Sequence, residues 1–412
     1  MEIRPIFSAL MRNKTGAVLV ALQIALSMAI LSNALHIVET RQAQAARPSG
    51  LADEASTFTI NVRNLALQGH QAQMATQKRE AAVLRSVAGA LSVANTSQTP
   101  LSYSASSSAV RAERHQPHQS AEVSFYTTPD SLIATWGLVL AEGRDFVPGD
   151  VSEIDQSGGT PEFPKVLIVT RATAAQVWPG VASVIGKTLY FGHGEQAAAA
   201  RVVGVVERLQ SPQAQIGNQA ELSVMVPIRI SGNPANLYAV RTEAGQVQRV
   251  IREAEQALRK SAPHALLLDT LVVSEGRAGR YRSDHALAWM LVAVSVLLLL
   301  VTASGIVGMA SLWVTQRRKQ IGVRRALGAR RVDILRLFLT ENMLITSGGV
   351  AAGVLLSIGL NQLLVSNLDM SALPLAYLVS GAAIFYVLGV LAVYGPAWRA
   401  ASISPATATR SI

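Results

Sequence analysis

The sequence predicts an α-helical membrane protein with four transmembrane helices and a large α+β periplasmic domain of two subdomains, inserted between helices 1 and 2. Three observations predict it. Four long stretches lack Lys, Arg, Asp and Glu, a polar stretch separates the first from the second, and a strongly basic segment separates the second from the third. A membrane-spanning helix needs about 20 apolar residues, and short loops rich in Lys and Arg stay in the cytoplasm.

Composition narrows the class of protein. Half of the 412 residues are hydrophobic, which is unusual for a soluble protein. The net charge of +10 raises the possibility of nucleic-acid binding, but most of the excess lies in the one basic segment, where membrane topology explains it. We therefore predict membrane lipid and no nucleic acid among the partners. The absence of cysteine excludes disulfides, thiol catalysis and cysteine metal sites.

The N-terminal region predicts a span that begins in the cytoplasm. Residues 1–14 are basic, and residues 15–38 carry no charge and are long enough to cross a bilayer. A cleaved signal peptide is the alternative, but its apolar region is usually shorter than this one. Ala21, Ala25 and Ala29 recur every four residues, a spacing that allows close contact with another helix.

Residues 39–285 form the predicted periplasmic domain. Strand and helix patterns alternate there without a strict βαβ order, which indicates an α+β architecture. We assign residues 56–130 and 222–275 to one subdomain and residues 131–221 to a second one inserted into it. Arg144 and Asp150 are predicted to form a structural ion pair.

No catalytic, cofactor or metal site is predicted. The histidines are scattered and lack the spacing of metal ligands. The segment from Gly180 to Thr188 resembles a phosphate-binding loop, but five residues separate its glycines where that motif has four. We therefore expect a chain that is not itself an enzyme and whose energy source is a separate protein. A membrane-tethered enzyme with a catalytic cluster in the outer domain is an alternative.

The C-terminal third predicts three more spans and returns the chain to the cytoplasm. The predicted segments are span 2 at 286–315, a cytoplasmic loop at 316–341, span 3 at 342–366, a short periplasmic loop at 367–374, span 4 at 375–398 and a cytoplasmic tail at 399–412. Gly349 and Gly353 have the spacing of helix-packing glycines, with packing inside the chain favoured over dimerisation. Glu341 is predicted to pair with Arg336 or with a basic residue of the N-terminus.

The loop at 316–341 has an internal pattern besides its eight basic residues. Ile321 to Leu327 can form about two helical turns, which Gly328 would end. Such a helix would have an apolar side with Ile321 and Ala326 or Leu327 and a charged side with Arg324 and Arg325. A short amphipathic helix at the mouth of a bundle suits docking to another protein. The alternative, which charge alone favours, is that these residues only set topology or contact anionic lipid.

The loop sequence Gln320-Ile-Gly-Val-Arg-Arg-Ala-Leu-Gly-Ala329, followed by Phe338 and Glu341, resembles the coupling loop of MacB/FtsX-like ABC transporter permeases. The segments 140–146 and 202–206 resemble the periplasmic core of the same family. One departure is Gln320, where the family usually has Glu.

The resemblance implies a function and a set of partners. In that family the loop docks onto a cytoplasmic ATPase, so the expected ATPase-coupling residues are Arg317, Gln320, Ile321, Gly322, Arg324, Arg325, Leu327, Gly328 and Ala329. The expected partners are a separate ABC ATPase subunit, a second permease in a homodimer or paralogous heterodimer, a periplasmic adaptor (membrane fusion protein) and an outer-membrane channel. The expected location is the bacterial inner membrane.

By the same resemblance, ATP hydrolysis would drive movement of the periplasmic domain through the spans, a mechanism called mechanotransmission. Efflux of periplasmic substrates is the favoured use of that movement. The alternatives are lipoprotein release by a permease of the same family, or a membrane-anchored periplasmic sensor or receptor.

Overall fold

A computed structural model of the chain describes residues 14–64, 69–102, 105–155, 163–213, 217–233, 235–368 and 372–402. Most of the predicted N-terminal segment and tail, and part of the short loop at 367–374, lie outside these residues. The chain divides into two compact units: Met1–Ala43 with Ser283–Ile412, which we call the helical unit, and Gln44–Arg282, which we call the α/β unit.

The described residues contain nine α-helices, with bounds α1 Lys14–Ala46, α2 His70–Arg85, α3 Leu132–Trp136, α4 Arg171–Val177, α5 Val247–Ser261, α6 Val273–Gln316, α7 Arg318–Ala326, α8 Arg331–Leu368 and α9 Leu375–Ala401. They also contain thirteen strands, with bounds β1 Thr57–Asn64, β2 Ala90–Thr96, β3 Ser107–Arg111, β4 Ala121–Thr127, β5 Leu140–Gly143, β6 Ser152–Asp155, β7 Val166–Thr170, β8 Thr188–Phe191, β9 Ala198–Val206, β10 Ser223–Val226, β11 Ile228–Ser231, β12 Ala235–Thr242 and β13 Leu266–Val272.

Four helices, α1, α6, α8 and α9, are long and apolar enough to cross a membrane. This confirms the prediction of four candidate spans. The helices extend beyond the predicted apolar segments because charged residues at their ends also adopt helical conformation. In α1 and α6 the helix includes the boundary between the two units, so each unit contains part of both helices.

The first sheet of the α/β unit has the strand order β13-β1-β12-β2 and is antiparallel throughout. It consists of two βαβ halves, β1-α2-β2 and β12-α5-β13, in the split βαβ arrangement of ferredoxin-like folds. The helices α2 and α5 cover one face with an apolar core that includes Phe58, Ile60 and Leu258. The segment between β2 and β12 therefore belongs to a separate structure inserted into this sheet.

The inserted segment forms a barrel. Its sheet has the order β5-β9-β7-β10-β4-β3-β8, and β8 also pairs with β9, which closes a ring of six strands with β5 outside it. Closure removes free strand edges, and Val110, Leu167 and Val202 are among the side chains that fill the core. The strands β6 and β11 form a separate two-stranded parallel sheet, and Ile228 of β11 packs into the same apolar core as the barrel strands.

The strands divide differently from the predicted subdomains. The predicted subdomain of residues 56–130 and 222–275 contains β3, β4 and β10, but all three strands belong to the barrel. The insertion between the sheet halves thus runs from β2 to β12, which is longer than the predicted 131–221. The physical reason is non-local pairing: β4 and β10 pair in parallel over about 100 residues of chain, and strand periodicity carries no information on the partner.

Candidate functional site

Between α6 and α8 the chain forms the predicted short helix, α7. A left-handed residue ends it: Gly328 has φ +99°, a conformation that L side chains rarely adopt. The Ala329 N–H donates to the carbonyl of Arg324 at 3.0 Å and the Gly328 N–H to that of Arg325 at 3.2 Å. These two bonds form a Schellman motif, which fixes the end of α7 and turns the chain towards α8.

One side of α7 is anchored in the helical unit. Ile321 is only 3% exposed and belongs to the apolar core that contains Phe338, Ala397 and Ala400. Gly322 is also buried. An apolar side chain held in this way fixes the rotation of α7 about its own axis, so the opposite side is presented in a defined orientation.

The opposite side of α7 is exposed and mixes apolar with basic groups. Val323 and Leu327 are four residues apart, as neighbours on a helical surface are, and are 47% and 83% exposed. Arg324 lies beside them and is exposed, and so is Gln320. We call Gln320, Val323, Arg324 and Leu327 the α7 face. Three of them are among the predicted coupling residues, and Val323 is not, although its helical spacing from Leu327 was an available signal. The prediction that Leu327 shares a side with Ile321 is wrong, because Ile321 packs into the bundle while Leu327 is exposed.

The other predicted coupling residues lie elsewhere on the loop. Gly328 is exposed, while Arg325 and Ala329 are half-buried. Ile321 and Gly322 are turned into the bundle, as described above, so they can support the α7 face without being part of it.

Arg317 has a structural contact inside the chain. Its Nη1 lies 2.6 Å from Oε1 of Glu341, and its guanidinium lies over the Trp313 ring at 5.9 Å from the centroid. The Glu341 side chain is 2% exposed and that of Arg317 is 18% exposed. The predicted ion pair of Glu341 therefore exists with a different cation from Arg336, because the turn between α6 and α7 brings Arg317 next to α8.

The predicted packing glycines lie against α1. A Cβ added to Gly349 would be 2.9 Å from the Ala21 carbonyl oxygen and from Ile24, and one added to Gly353 would be 3.0 Å from Met28. Helices at this distance have no room for a larger side chain at the crossing. The contact is within one chain, the arrangement that the sequence favoured.

Polar contacts also join the helices of the helical unit. Ser27 of α1 and Thr302 of α6 share a hydrogen bond of 2.9 Å, and the Asn33 amide donates to the Ser357 carbonyl of α8 at 3.2 Å. Arg41 of α1 pairs with Asp284 of α6 at 3.1 Å. Hydroxyl and amide side chains in apolar stretches were the available signal for such contacts.

Within the α/β unit, one arginine connects the end of α1 with the start of α6. Arg277 makes two bonds of 2.6 and 2.7 Å to the Glu54 carboxylate and donates to the carbonyls of Ala45 and Arg47 at 2.9 and 3.0 Å. Bidentate pairing and simultaneous capping of a helix end use the fork geometry of the guanidinium. No sequence motif indicated this joint, since Arg277 lies more than 200 residues along the chain from the groups that it binds.

Arg144 and Asp150 form the predicted ion pair, with Nη1 2.7 Å from Oδ2 and Nη2 3.3 Å from Oδ1. Asp150 Oδ2 also accepts the Val147 N–H at 3.0 Å. The hydrogen bonds from Arg144 hold the pKa of Asp150 below its usual value and raise the pKa of Arg144. The pair closes a tight turn.

One cluster bears on the enzyme alternative. His70 Nδ1 lies 2.7 Å from Ser231 Oγ, and Asp155 Oδ1 lies 3.4 Å from the same hydroxyl. In a nucleophilic triad the carboxylate and the hydroxyl bind opposite nitrogens of the imidazole. Here both lie on the Nδ1 side and Ser231 is buried, so the cluster does not have the geometry of a triad. Within the described residues, no group of three or more potential ligands has metal-binding geometry.

A family profile matches the C-terminal third of the chain, and individual proteins are similar to it over a longer stretch. Residues 292–405 match the sequence profile of the FtsX-like permease C-terminal family. Over 289 residues the chain is 25% identical to the macrolide export ATP-binding/permease protein MacB of Acinetobacter baylyi. The aligned region is 66% of this chain and 40% of that protein. The chain is 28% identical over 219 residues to the pyoverdine export ATP-binding/permease protein PvdT of Pseudomonas savastanoi pv. phaseolicola, covering 51% of this chain and 33% of that protein. The chain thus spans less than half the length of these relatives.

Two solved structures are also similar. One is the extracellular domain of the ABC-type transporter YknZ from Gram-positive bacteria, with a TM-score of 0.33 and 15% identity over 52% of this chain and 99% of that one. The other is a domain of a permease protein from Porphyromonas gingivalis, with a TM-score of 0.34 and 14% identity over 54% of this chain and 92% of that one.

Proposed function

We propose that this chain, which belongs to the FtsX/MacB-like family of ABC transporter permeases, converts the movement of a separate ATPase subunit into movement of its own α/β unit. The family is one of multi-pass membrane proteins, and the four apolar helices agree with that. By the positive-inside rule, the α7 loop faces the cytoplasm and the α/β unit the periplasm of a bacterial inner membrane.

The observation that carries the proposal is the construction of α7. The helix is fixed on one side by Ile321 and at its end by Gly328, while the α7 face points away from the bundle. Exposed apolar side chains beside a cation are typical of small protein–protein contacts, in which apolar anchors give affinity and charge gives specificity. A loop that served only topology needs its charges but neither the Schellman turn nor the exposed Val323 and Leu327. A lipid-contacting helix could use the same apolar and basic groups, so a separate test distinguishes it.

Movement at α7 has a short route through the chain. The α6 helix is 44 residues long, about 66 Å, and ends one residue before Arg317. Its first residues lie in the α/β unit, where Arg277 holds them to the end of α1. A displacement of α7 by an ATPase would therefore act on two helices that continue without a break into the α/β unit.

The remaining partners have two sources. The relatives' names state export and an ATP-binding part, so we propose that this chain works in export. Its resemblance to the MacB/FtsX-like family adds an adaptor and an outer-membrane channel to the proposed complex, with transport from the periplasmic side. ABC ATPases act as pairs, and the proposed complex thus contains a second permease, either an identical copy or a paralogue.

The test uses a charge placed on the α7 face. In the variant Leu327→Asp we expect co-purification of the ATPase from native membranes to fall by more than about tenfold, the loss typical of an interface anchor, together with the stimulated ATPase turnover. The matched control is Val332→Asp, since Val332 is an exposed apolar residue of the same loop but lies in the first turn of α8, where an acidic residue is tolerated. Unchanged binding and turnover in Leu327→Asp contradict the docking role.

The lipid alternative gives a different result. In a variant with Arg324→Gln and Arg325→Gln, docking predicts weaker ATPase association that becomes less sensitive to salt, because the interface has lost cations. A role in lipid contact alone predicts normal ATPase association with reduced binding to anionic lipid vesicles.

A further inference from the structure

A cavity of about 450 Å³ opens in the α/β unit at one end of the ferredoxin-like sheet, between that sheet and the barrel strand β4. Its size is within the roughly 300–1,000 Å³ range of small-molecule sites. The coupling function proposed above makes no use of it. We call it the amide cavity, because Asn and Gln side chains from β1, β2, α2, β12 and the loop after β2 line it, including Asn61, Gln77, Asn95, Gln98 and Asn236.

The described part of the wall is polar and uncharged. Among the described residues that line the cavity, every polar one is Asn, Gln, Ser or Thr, and the others are Ala, Ile or Leu. Anions and cations need a counter-charge or a helix terminus to compensate for lost hydration, which this wall does not offer. Large apolar ligands need apolar or aromatic walls. The cavity therefore suits a neutral ligand that carries many hydrogen-bonding groups.

The amide groups are held in place before any ligand arrives. The Gln77 Nε2 donates to the Ile230 carbonyl at 2.7 Å and to Asn236 Oδ1 at 3.1 Å. Asn236 in turn donates to the buried Glu80 at 2.8 Å, and Glu80 also accepts from Tyr238 at 2.8 Å. This chain of bonds fixes the donor and acceptor ends of the amides, which lowers the ordering cost of binding.

Two acceptors in the wall have no partner among the described residues: Oε1 of Gln77, whose residue is 97% buried, and Oδ1 of Asn61. A buried carbonyl oxygen without a donor costs about 1–3 kcal/mol, so such atoms are usually satisfied by water or by a ligand. Both are acceptors that neighbouring atoms cover, so a ligand that reaches them through a rotation of the amide must present donors such as hydroxyl groups.

We propose that the amide cavity binds a neutral saccharide of one or two rings. Sugar hydroxyls both donate and accept, as the mixed amide and hydroxyl wall requires. A peptide is less suitable, because peptides are usually recognised at a free strand edge, and the inner strands β1 and β12 are paired on both sides. On the edge strand β2 the main-chain N–H of Asn95 is already bonded to the Asp130 carboxylate.

The test measures saturable binding of chitobiose and of maltose to the full chain in lipid nanodiscs, by calorimetry or saturation-transfer NMR. Maltoside detergents are avoided because their headgroup is itself a sugar. We expect at least one disaccharide to bind at a single site, and Gln77→Met to weaken that binding by about tenfold, the loss for one or two neutral hydrogen bonds. The matched control Gln176→Met makes the same change on an exposed position of α4 and should bind normally.

A second variant keeps the test decisive if Gln77→Met does not fold. Asn61→Leu removes the other free acceptor from a half-buried position and leaves the main-chain pairing of β1 intact. Binding of neither sugar at millimolar concentration overturns the proposal and leaves a water-filled cavity. The proposal is also overturned if both variants bind the sugar as the wild type does, or if N-acetyl-trialanine amide binds in place of the sugars.

Discussion

The two units of the chain differ most in the large apolar side chains that they expose. In the helical unit large apolar residues such as Trp289, Leu355 and Leu375 are exposed, while Thr302, Ser357 and Glu341 are buried. In the α/β unit Phe58, Trp136 and Leu167 are buried instead. Apolar burial stabilises a fold in water, but among lipid chains an exposed Leu loses little, and helices are held together by close packing and polar contacts. The stability of the two units should therefore depend on different residues.

The largest expected effect is the loss of the cation from a buried pair. Arg317→Met leaves Glu341 unpaired in the helical unit, and breaking a buried ion pair in this way typically costs 3–5 kcal/mol, of which we expect about 3 because Arg317 is partly exposed. We expect a clearly lower midpoint of thermal unfolding for the variant in nanodiscs.

The matched change in the α/β unit is Arg144→Met. That pair is bidentate, whereas Arg317 reaches Glu341 through one oxygen, but Arg144 is 46% exposed, and exposed pairs contribute about 1 kcal/mol or less. Adding Glu341→Gln to Arg317→Met should recover much of the loss, since the uncompensated charge is then gone. Equal destabilisation by Arg317→Met and Arg144→Met would mean that the two surroundings do not differ as described.

The second prediction concerns close helix packing. Gly349→Ala places a Cβ 2.9 Å from the Ala21 carbonyl oxygen and from Ile24, and overpacking of this kind costs typically 1–3 kcal/mol. Gly348→Ala is the control, because no atom lies within 4 Å of the added Cβ and Ala is favoured over Gly in a helix by about 1 kcal/mol. We expect opposite signs for the adjacent substitutions, measured as unfolding midpoints. A stabilising Gly349→Ala would contradict the tight contact between α1 and α8.

The sequence predicts those features whose pattern lies within one short segment of the chain. The four apolar helices, the strands β1, β7 and β9, and the Gly328 end of α7 depend on patterns within a few residues. The four-residue strands β5, β6 and β11 are too short to show a period. The barrel depends on pairings between distant segments, as do the partner of Glu341 and the joint at Arg277. A motif can identify a residue that needs a partner, but only the tertiary structure supplies that partner.

The smallest expected effect lies in the α/β unit and concerns its own buried carboxylate. Glu80 is buried like Glu341, but neutral donors hold it: Asn236 and Tyr238 both bond to Oε2 at 2.8 Å. Burial raises the pKa of Glu80 above its usual value, against the opposing effect of those hydrogen bonds. Glu80→Gln can keep one oxygen as the acceptor of both bonds and carries no charge. We expect a stabilisation of about 1 kcal/mol or less near neutral pH.

The stability difference between Glu80→Gln and the wild type should change with pH in a defined direction. Because the folded pKa of Glu80 is above the unfolded one, the stability from its protonated form is complete below the unfolded pKa and is lost as pH rises through the folded value. The advantage of Glu80→Gln over the wild type should therefore disappear on acidification.

Asp150 is the opposite case: Arg144 lowers its pKa, so its contribution is present above the unfolded pKa and is lost as pH falls through the folded value. Asp150→Asn should then be less stable than the wild type near neutral pH and approach it in acid. Chemical unfolding of the three proteins between about pH 4 and pH 8 would measure both slopes, and an advantage of Glu80→Gln that grows in acid would show that the burial of Glu80 is not what determines its titration.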